Sequence, residues 1–126
     1  MWPLFHFMKN TEPLKKNQEF QTIYKKGRSV ADRKLVLYKL ENHTAVNRLG
    51  ISVSKKVGNS VVRHRIKRIV KEAYRLGEDE FLTGFDLVIV ARGQAKDRSF
   101  VELKDSLWYL AGRQGILAEG PAGENR

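Results

Sequence analysis

Hydrophobic positions change period several times along the chain, and each change marks an element. In residues 17–26, NQEFQTIYKK, Phe20, Ile23 and Tyr24 fall at i, i+3 and i+4, one face of a short helix. Asn17 is the predicted N-cap and Gly27 the residue that ends the helix. Residues 34–40, KLVLYKL, alternate with period two: Leu35, Leu37 and Lys39 on one side, Val36, Tyr38 and Leu40 on the other. That is a strand. ENHTAVN (41–47) is turn-like, and Leu49, Ile51 and Val53 then alternate with Gly50, Ser52 and Ser54. This second strand has one small, polar face. Strand, turn and strand in succession predict an antiparallel pair.

VGNS (57–60) breaks the second strand, and Asn59 or Ser60 can cap the next helix. At about 100° per residue, Val62, Ile66, Ile69 and Ala73 form one helical stripe. His64, Lys67, Arg68, Lys71 and Arg75 lie opposite, with Arg63 and Arg65 at the boundary. Residues 77–84 read as a loop carrying Glu78, Asp79 and Glu80. DLVIVA (86–91) is apolar without alternation, which predicts a strand covered on both faces. Ser99 and Glu102 have capping-box spacing, and Phe100, Leu103, Leu107 and Leu110 give the stripe of a last helix. A further short strand is expected near 28–30. The expectation is a small single-domain α+β fold, in α-β-β-α-β-α order with that extra strand, as an α-β sandwich. The domain is drawn at residues 13–117, between a flexible segment 1–12 and a disordered Gly- and Glu-rich tail, 118–126. Trp2 to Met8 is apolar but lacks the flanks of a signal peptide, and Met8 is a candidate for the true start of translation.

Charge changes the picture. The chain has 126 residues and a formal net charge of +10. Residues 55–75 hold eight Lys or Arg and one acid, Glu72, so +7 of that excess sits in one sixth of the length. An anionic partner is implied, either nucleic acid or a membrane surface. The chain has no cysteine, which excludes disulfides, thiolate metal sites and Cys nucleophiles, and suits a reducing compartment. No apolar run reaches the ~20 residues of a membrane helix.

A solvated surface helix normally mixes signs, with Glu–Lys pairs at i, i+4. Here Glu72 stands alone, so phosphate binding accounts for the cationic face better than solvation does. Anionic lipid is the other polyanion, but the apolar stripe is needed for the core. Phe20, Tyr24 and Tyr38 can stack on unpaired bases at ~1–3 kcal/mol each, or serve as ordinary core contacts. Glu78, Asp79 and Glu80 are sequence neighbours that point apart, unlike the converging carboxylates of a metal-dependent nuclease. His6, His43 and His64 are isolated, without metal-ligand spacing. Catalytic and metal-binding residues are therefore expected to be none.

LKKNQEFQTIYKKGRSV, KLVLY, RLGISVSKKVGNSVVRHRIKRIVKEAYR and DLVIVAR, in that order, resemble the bacterial ribonuclease P protein component over residues 14–117. The block GISVSKKVGNSVVR followed by RIKR carries most of the specificity. The resemblance implies a left-handed βαβ crossover, against the usual right-handed rule. It implies a cytoplasmic subunit that joins a catalytic RNA 1:1, with the protein monomeric alone and no membrane partner. Together they remove the 5′ leader from precursor tRNA. It implies magnesium held mainly by the RNA as the cofactor. Site residues carry over by position: Lys55, Lys56, Asn59, Arg63, His64, Arg65, Lys67 and Arg68 toward the catalytic RNA, and Phe20, Tyr24 and Tyr38 toward the leader. His64 departs from the family's Asn and puts a contact to the amide oxygen in question. A general structural RNA binder, like a ribosomal protein, is the alternative that composition alone leaves open.

Overall fold

The computed structural model describes residues 8–118. In chain order its elements are β1 (Thr11–Pro13), α1 (Asn17–Lys26), β2 (Arg28–Ala31), β3 (Leu35–Glu41), β4 (Asn47–Val53), α2 (Ser60–Leu76), β5 (Phe85–Ala91) and α3 (Phe100–Gln114). Short 3-10 turns follow α2 at Glu78–Glu80 and β5 at Gly93–Ala95. Of the tail expected to be disordered from 118, only Ala118 is described, and its N–H donates to the Glu80 carbonyl at 2.6 Å; residues 119–126, and residues 1–7 ahead of the candidate start at Met8, lie outside the described residues.

The apolar run in β5 decides the architecture. With Leu87, Ile89 and Ala91 on one face and Val88 and Val90 on the other, it can only sit centrally. The sheet order is β1-β4-β5-β3-β2. β5 is parallel to β4 and antiparallel to β3. The predicted hairpin of β3 and β4 is therefore wrong: β5 is inserted between them, because only that slot covers both of its faces. α2 connects the parallel pair β4 and β5. The strand expected near 28–30 is β2, antiparallel to β3 at the sheet edge.

Helices cover both faces. Leu35, Leu37, Leu49, Ile51, Leu87 and Ile89 pack with Ile66, Val70 and Ala73 of α2 and Leu103, Leu107 and Leu110 of α3. Each large aliphatic side chain so buried stabilises by ~1.5–3 kcal/mol. On the opposite face Leu14, Ile23 and Val88 form a smaller cluster, with Phe20, Tyr24, Tyr38, Leu40 and Val90 half-buried around it. An ion network ties α1 to the sheet: Arg48 reaches Asp86 at 2.5 Å and Glu19 at 2.6 Å.

Local chemistry departs from expectation at three points. The N-cap of α1 is Lys16, not Asn17. The Glu19 carboxylate accepts from the backbone N–H of Lys16 at 3.1 Å and of Lys15 at 3.3 Å, which replaces a capping side chain. Gly27 ends α1 in extended backbone. It is glycine for space: a Cβ there would lie 2.7 Å from the Ile23 carbonyl oxygen and 2.9 Å from that of Lys39. The lead-in drawn as flexible to residue 12 is held from Lys9 onward. Glu78 accepts from the N–H of Lys9 at 2.8 Å, the N–H of Asn10 at 2.9 Å and the Thr11 hydroxyl at 2.6 Å. β1 then extends the sheet.

Candidate nucleic-acid interface

The register collects cations at one end of the sheet. Val53 and Leu35 both pair with Ala91. The residues just past β4 (Lys55, Lys56), just before β3 (Arg33, Lys34) and just past β5 (Arg92) therefore share that end. Arg92 donates to the Asp32 carbonyl at 2.9 Å. Asp32 is itself fixed by Ser106 and by the N–H groups of Lys34 and Leu35, both at 2.8 Å. Burial raises the Asp32 pKa, but these hydrogen bonds outweigh it and hold the carboxyl below its usual range. The Arg33 and Arg92 stems are thus set on a pinned loop.

α2 starts at the same end. Asn59 caps it, accepting from the Val62 N–H at 3.0 Å. Arg63 folds back to the Gly58 carbonyl at 2.9 Å, and Arg65 spans to the Arg98 carbonyl at 2.9 Å. Lys55, Lys56, Asn59, His64, Arg65 and Arg68 are exposed, and Arg63 and Lys67 are half-buried. Glu72, the one acid of the helix, is taken by Arg75 at 2.7 Å. No carboxylate among the described residues pairs with Arg68. The face therefore presents positive charge to solvent that its own carboxylates do not neutralise.

Lys71 corrects the helical wheel. Placed by the sequence on the cationic face, it is 4% exposed. Burial first, and then the like charge of Lys67, push its pKa down to about 7. The buried stripe is wider than predicted and includes Val70 and Tyr74 as well as Ile66 and Ala73.

The aromatic residues line a groove beside α1. Phe20 and Tyr24 lie 6.4 Å apart, and Tyr24 meets Tyr38 edge-on at 5.0 Å. A groove of about 440 Å³ runs between Asn17, Phe20, Gln21 and Tyr24 on one side and Ile51, Ser52 and Val53 of β4 on the other, with Lys15 and Lys67 beside it. It continues along Pro13, Leu14 and Gly50. Gly50 leaves the space that the Phe20 ring fills: a Cβ there would lie 2.5 Å from the ring. Tyr38 touches Tyr24 one ring further on and does not line the groove. Lys67, assigned by resemblance to the catalytic RNA, stands in this groove with the aromatics. On the same sheet face, Ser52, Val90 and Val36 form a half-buried row next to Gly50, Val88 and Tyr38. That row leads toward the cationic end.

Sequence reasoning missed Arg33 and Arg92 because they are scattered singly. The signal was their position at strand ends. It noted the small face of β4 without seeing that a small face under a helix leaves a groove. Among the described residues, no three His, Asp or Glu side chains come together as a metal donor set.

The Ribonuclease P family model matches residues 8–115. The ribonuclease P protein component of Lachnoclostridium phytofermentans is 46% identical over 115 residues, covering 91% of this chain and 99% of the relative. That of Alkaliphilus metalliredigens is 43% identical over 111 residues, covering 88% and 100%. Among solved structures, the Staphylococcus aureus RNase P protein superposes with a TM-score of 0.78 at 40% identity, covering 84% of this chain and 97% of that one. The Thermotoga maritima RNase P protein gives 0.75 at 29% identity, covering 86% and 99%.

Proposed function

The chain belongs to the bacterial ribonuclease P protein family, and from that premise we propose how its two sites divide the work. It is the protein subunit of a ribonucleoprotein endonuclease that processes precursor tRNA, and its partners are the ribonuclease P RNA and the precursor. The cationic end is the docking surface for the catalytic RNA. Lys55, Lys56, Asn59, Arg63, His64, Arg65 and Arg68 contact its phosphates. The groove takes the 5′ leader, with Phe20 and Tyr24 stacking on unpaired bases, Tyr38 extending the platform and Lys67 meeting a leader phosphate. The observation that carries this division is that Lys67 lines the same groove as Phe20, Tyr24 and Ser52. Rings beside an ammonium are the parts of a single-strand site.

Among the described residues no three His, Asp or Glu side chains converge, and this reading gives the protein no magnesium site of its own. Magnesium stays mainly on the RNA partner, where it supplies the hydrolytic chemistry. On this reading the cationic end and the groove among the described residues serve one catalytic RNA and one precursor, a 1:1 complex, and the free protein is monomeric. On this reading the particle works in the cytoplasm, where precursor tRNA is processed. No helix among the described residues is long and apolar enough to cross a membrane.

The test is reconstitution with the catalytic RNA at low magnesium, comparing precursor with mature tRNA. Tyr24→Leu should weaken precursor binding about 5- to 100-fold, the worth of one stacked base, and leave mature tRNA unchanged. Tyr38→Ala should act in the same direction and less strongly. Equal losses for both RNAs would remove the leader from the groove.

A further inference from the structure

β4 has seven residues, and β1 pairs with only the first three, Asn47, Arg48 and Leu49. The last main-chain bond on that side runs from the Leu14 N–H to the Leu49 carbonyl, 2.9 Å. Along a strand, successive residues turn their N–H and C=O groups alternately to one neighbour and the other. The Asn47 N–H meets the Asn10 carbonyl at 2.9 Å, on the β1 side. Odd-numbered residues of β4 therefore face β1, and even-numbered ones face β5. Ile51 and Val53 turn their N–H and C=O groups to an edge that β1 has already left. Among the described residues no main-chain hydrogen bond reaches these four groups. A strand edge with unpaired N–H and C=O groups is a template for a partner, and here that edge borders the groove.

The groove identifies the partner's chemistry. Ile51 lines both parts of it and Val53 one. A peptide adding as a strand would use pockets for alternate side chains. What stands across the groove is two aromatic rings and two ammonium groups, which suit bases and phosphates. We infer that the open edge of β4 reads the Watson–Crick edges of unpaired bases through the main chain of Ile51 and Val53. This rests on the assignment of the groove to the leader. On that edge each of the four RNA bases carries a donor next to an acceptor. One strand residue, with N–H and C=O side by side, can bond any of them. A base already paired has nothing to offer it. The two readers lie about 6.6 Å apart along the strand. Such a contact selects single-strandedness and is indifferent to sequence, as a segment that varies among precursors requires.

The test uses the reconstituted holoenzyme and precursor tRNA. Leader uridines are replaced one at a time by N3-methyluridine, which keeps the ring and the phosphate and removes the N3–H donor. At one or two adjacent positions, affinity should fall about fivefold, the scale of one net hydrogen bond. Amide hydrogen exchange at Ile51 and Val53 should slow on adding precursor and stay fast with mature tRNA. If methylation is neutral at every position while Tyr24→Leu still weakens precursor binding, the inference fails and the groove assignment stands. If Tyr24→Leu is also neutral, both fail. Exchange that is already slow before RNA is added, or that slows with protein concentration, assigns the edge to protein and overturns the inference.

Discussion

Lys71 shows how one residue can oppose the trend of its helix. The other cations of α2 are exposed or half-buried, but Lys71 is buried, and its pKa is pushed down to about 7 by that burial and by Lys67. An unfolded lysine titrates near ~10.4. Between those values the unfolded chain holds more protons than the folded one, so stability should rise with pH from about 7 to about 10. The contribution is at most about 1.4 kcal/mol per pH unit. Urea midpoints of the wild type should climb across that window, and those of Lys71→Met should climb less. Identical slopes would clear Lys71 of the effect. Gly50 is the second decisive residue. Its absent side chain is the seat of the Phe20 ring. Gly50→Ala should displace the ring, cost about 1–3 kcal/mol by overpacking and weaken precursor binding more than mature tRNA binding. A variant of unchanged stability and leader affinity would show that the ring has room elsewhere.

At the scale of elements, what could be read in the sequence was what is local. The amphipathic α2 and its Asn59 cap, the doubly covered β5 and the Ser99–Glu102 capping box all come from residues within a few positions of each other, and all are present. Strand order is not local. The turn at 41–47 suggested a hairpin, and nothing near it in sequence announces that β5 comes between. β1 was illegible because three residues carry no period. It is held by a buried polar network instead: Glu78 on the N–H groups of Lys9 and Asn10, Thr11 between Glu78 and Tyr74, and Asn47 on Tyr74 and the Leu82 carbonyl. Glu78→Ala strips a charged acceptor from three donors, each bond contributing about 1.5–3 kcal/mol net with a charged partner. Release of β1 should result, seen as fast amide exchange at Lys9, Asn10 and Leu14. Because β1 leads into Leu14 and Lys15 of the groove, leader affinity should fall while docking on the catalytic RNA is kept. Loss of RNA docking as well would mean global unfolding, which circular dichroism would report.

The whole molecule is electrically polar along its strands. Lys55, Lys56 and Arg92 come after the last residues of β4 and β5, whereas Glu78, Asp79 and Glu80 precede β5. Seven residues of β5 separate the two ends, about 20 Å of strand and more than the ~8–10 Å over which salt screens charge. The acidic end therefore contributes little to the field at the cationic end. It does orient the molecule, since it repels an RNA that approaches from that side. This sets the two ends against each other in one measurement, the dependence of catalytic-RNA affinity on salt. Each phosphate contact adds about 0.7–0.9 to the slope of log affinity against log salt concentration. Arg68→Ala removes an exposed cation that no described carboxylate occupies, so it should lower the slope by about that amount. Asp79→Asn with Glu80→Gln removes both of those negative charges at the far end. It should leave the slope as it was and at most quicken association. If the acidic pair changes the slope as much as Arg68 does, the RNA wraps both ends and the docking surface is not the cationic end alone.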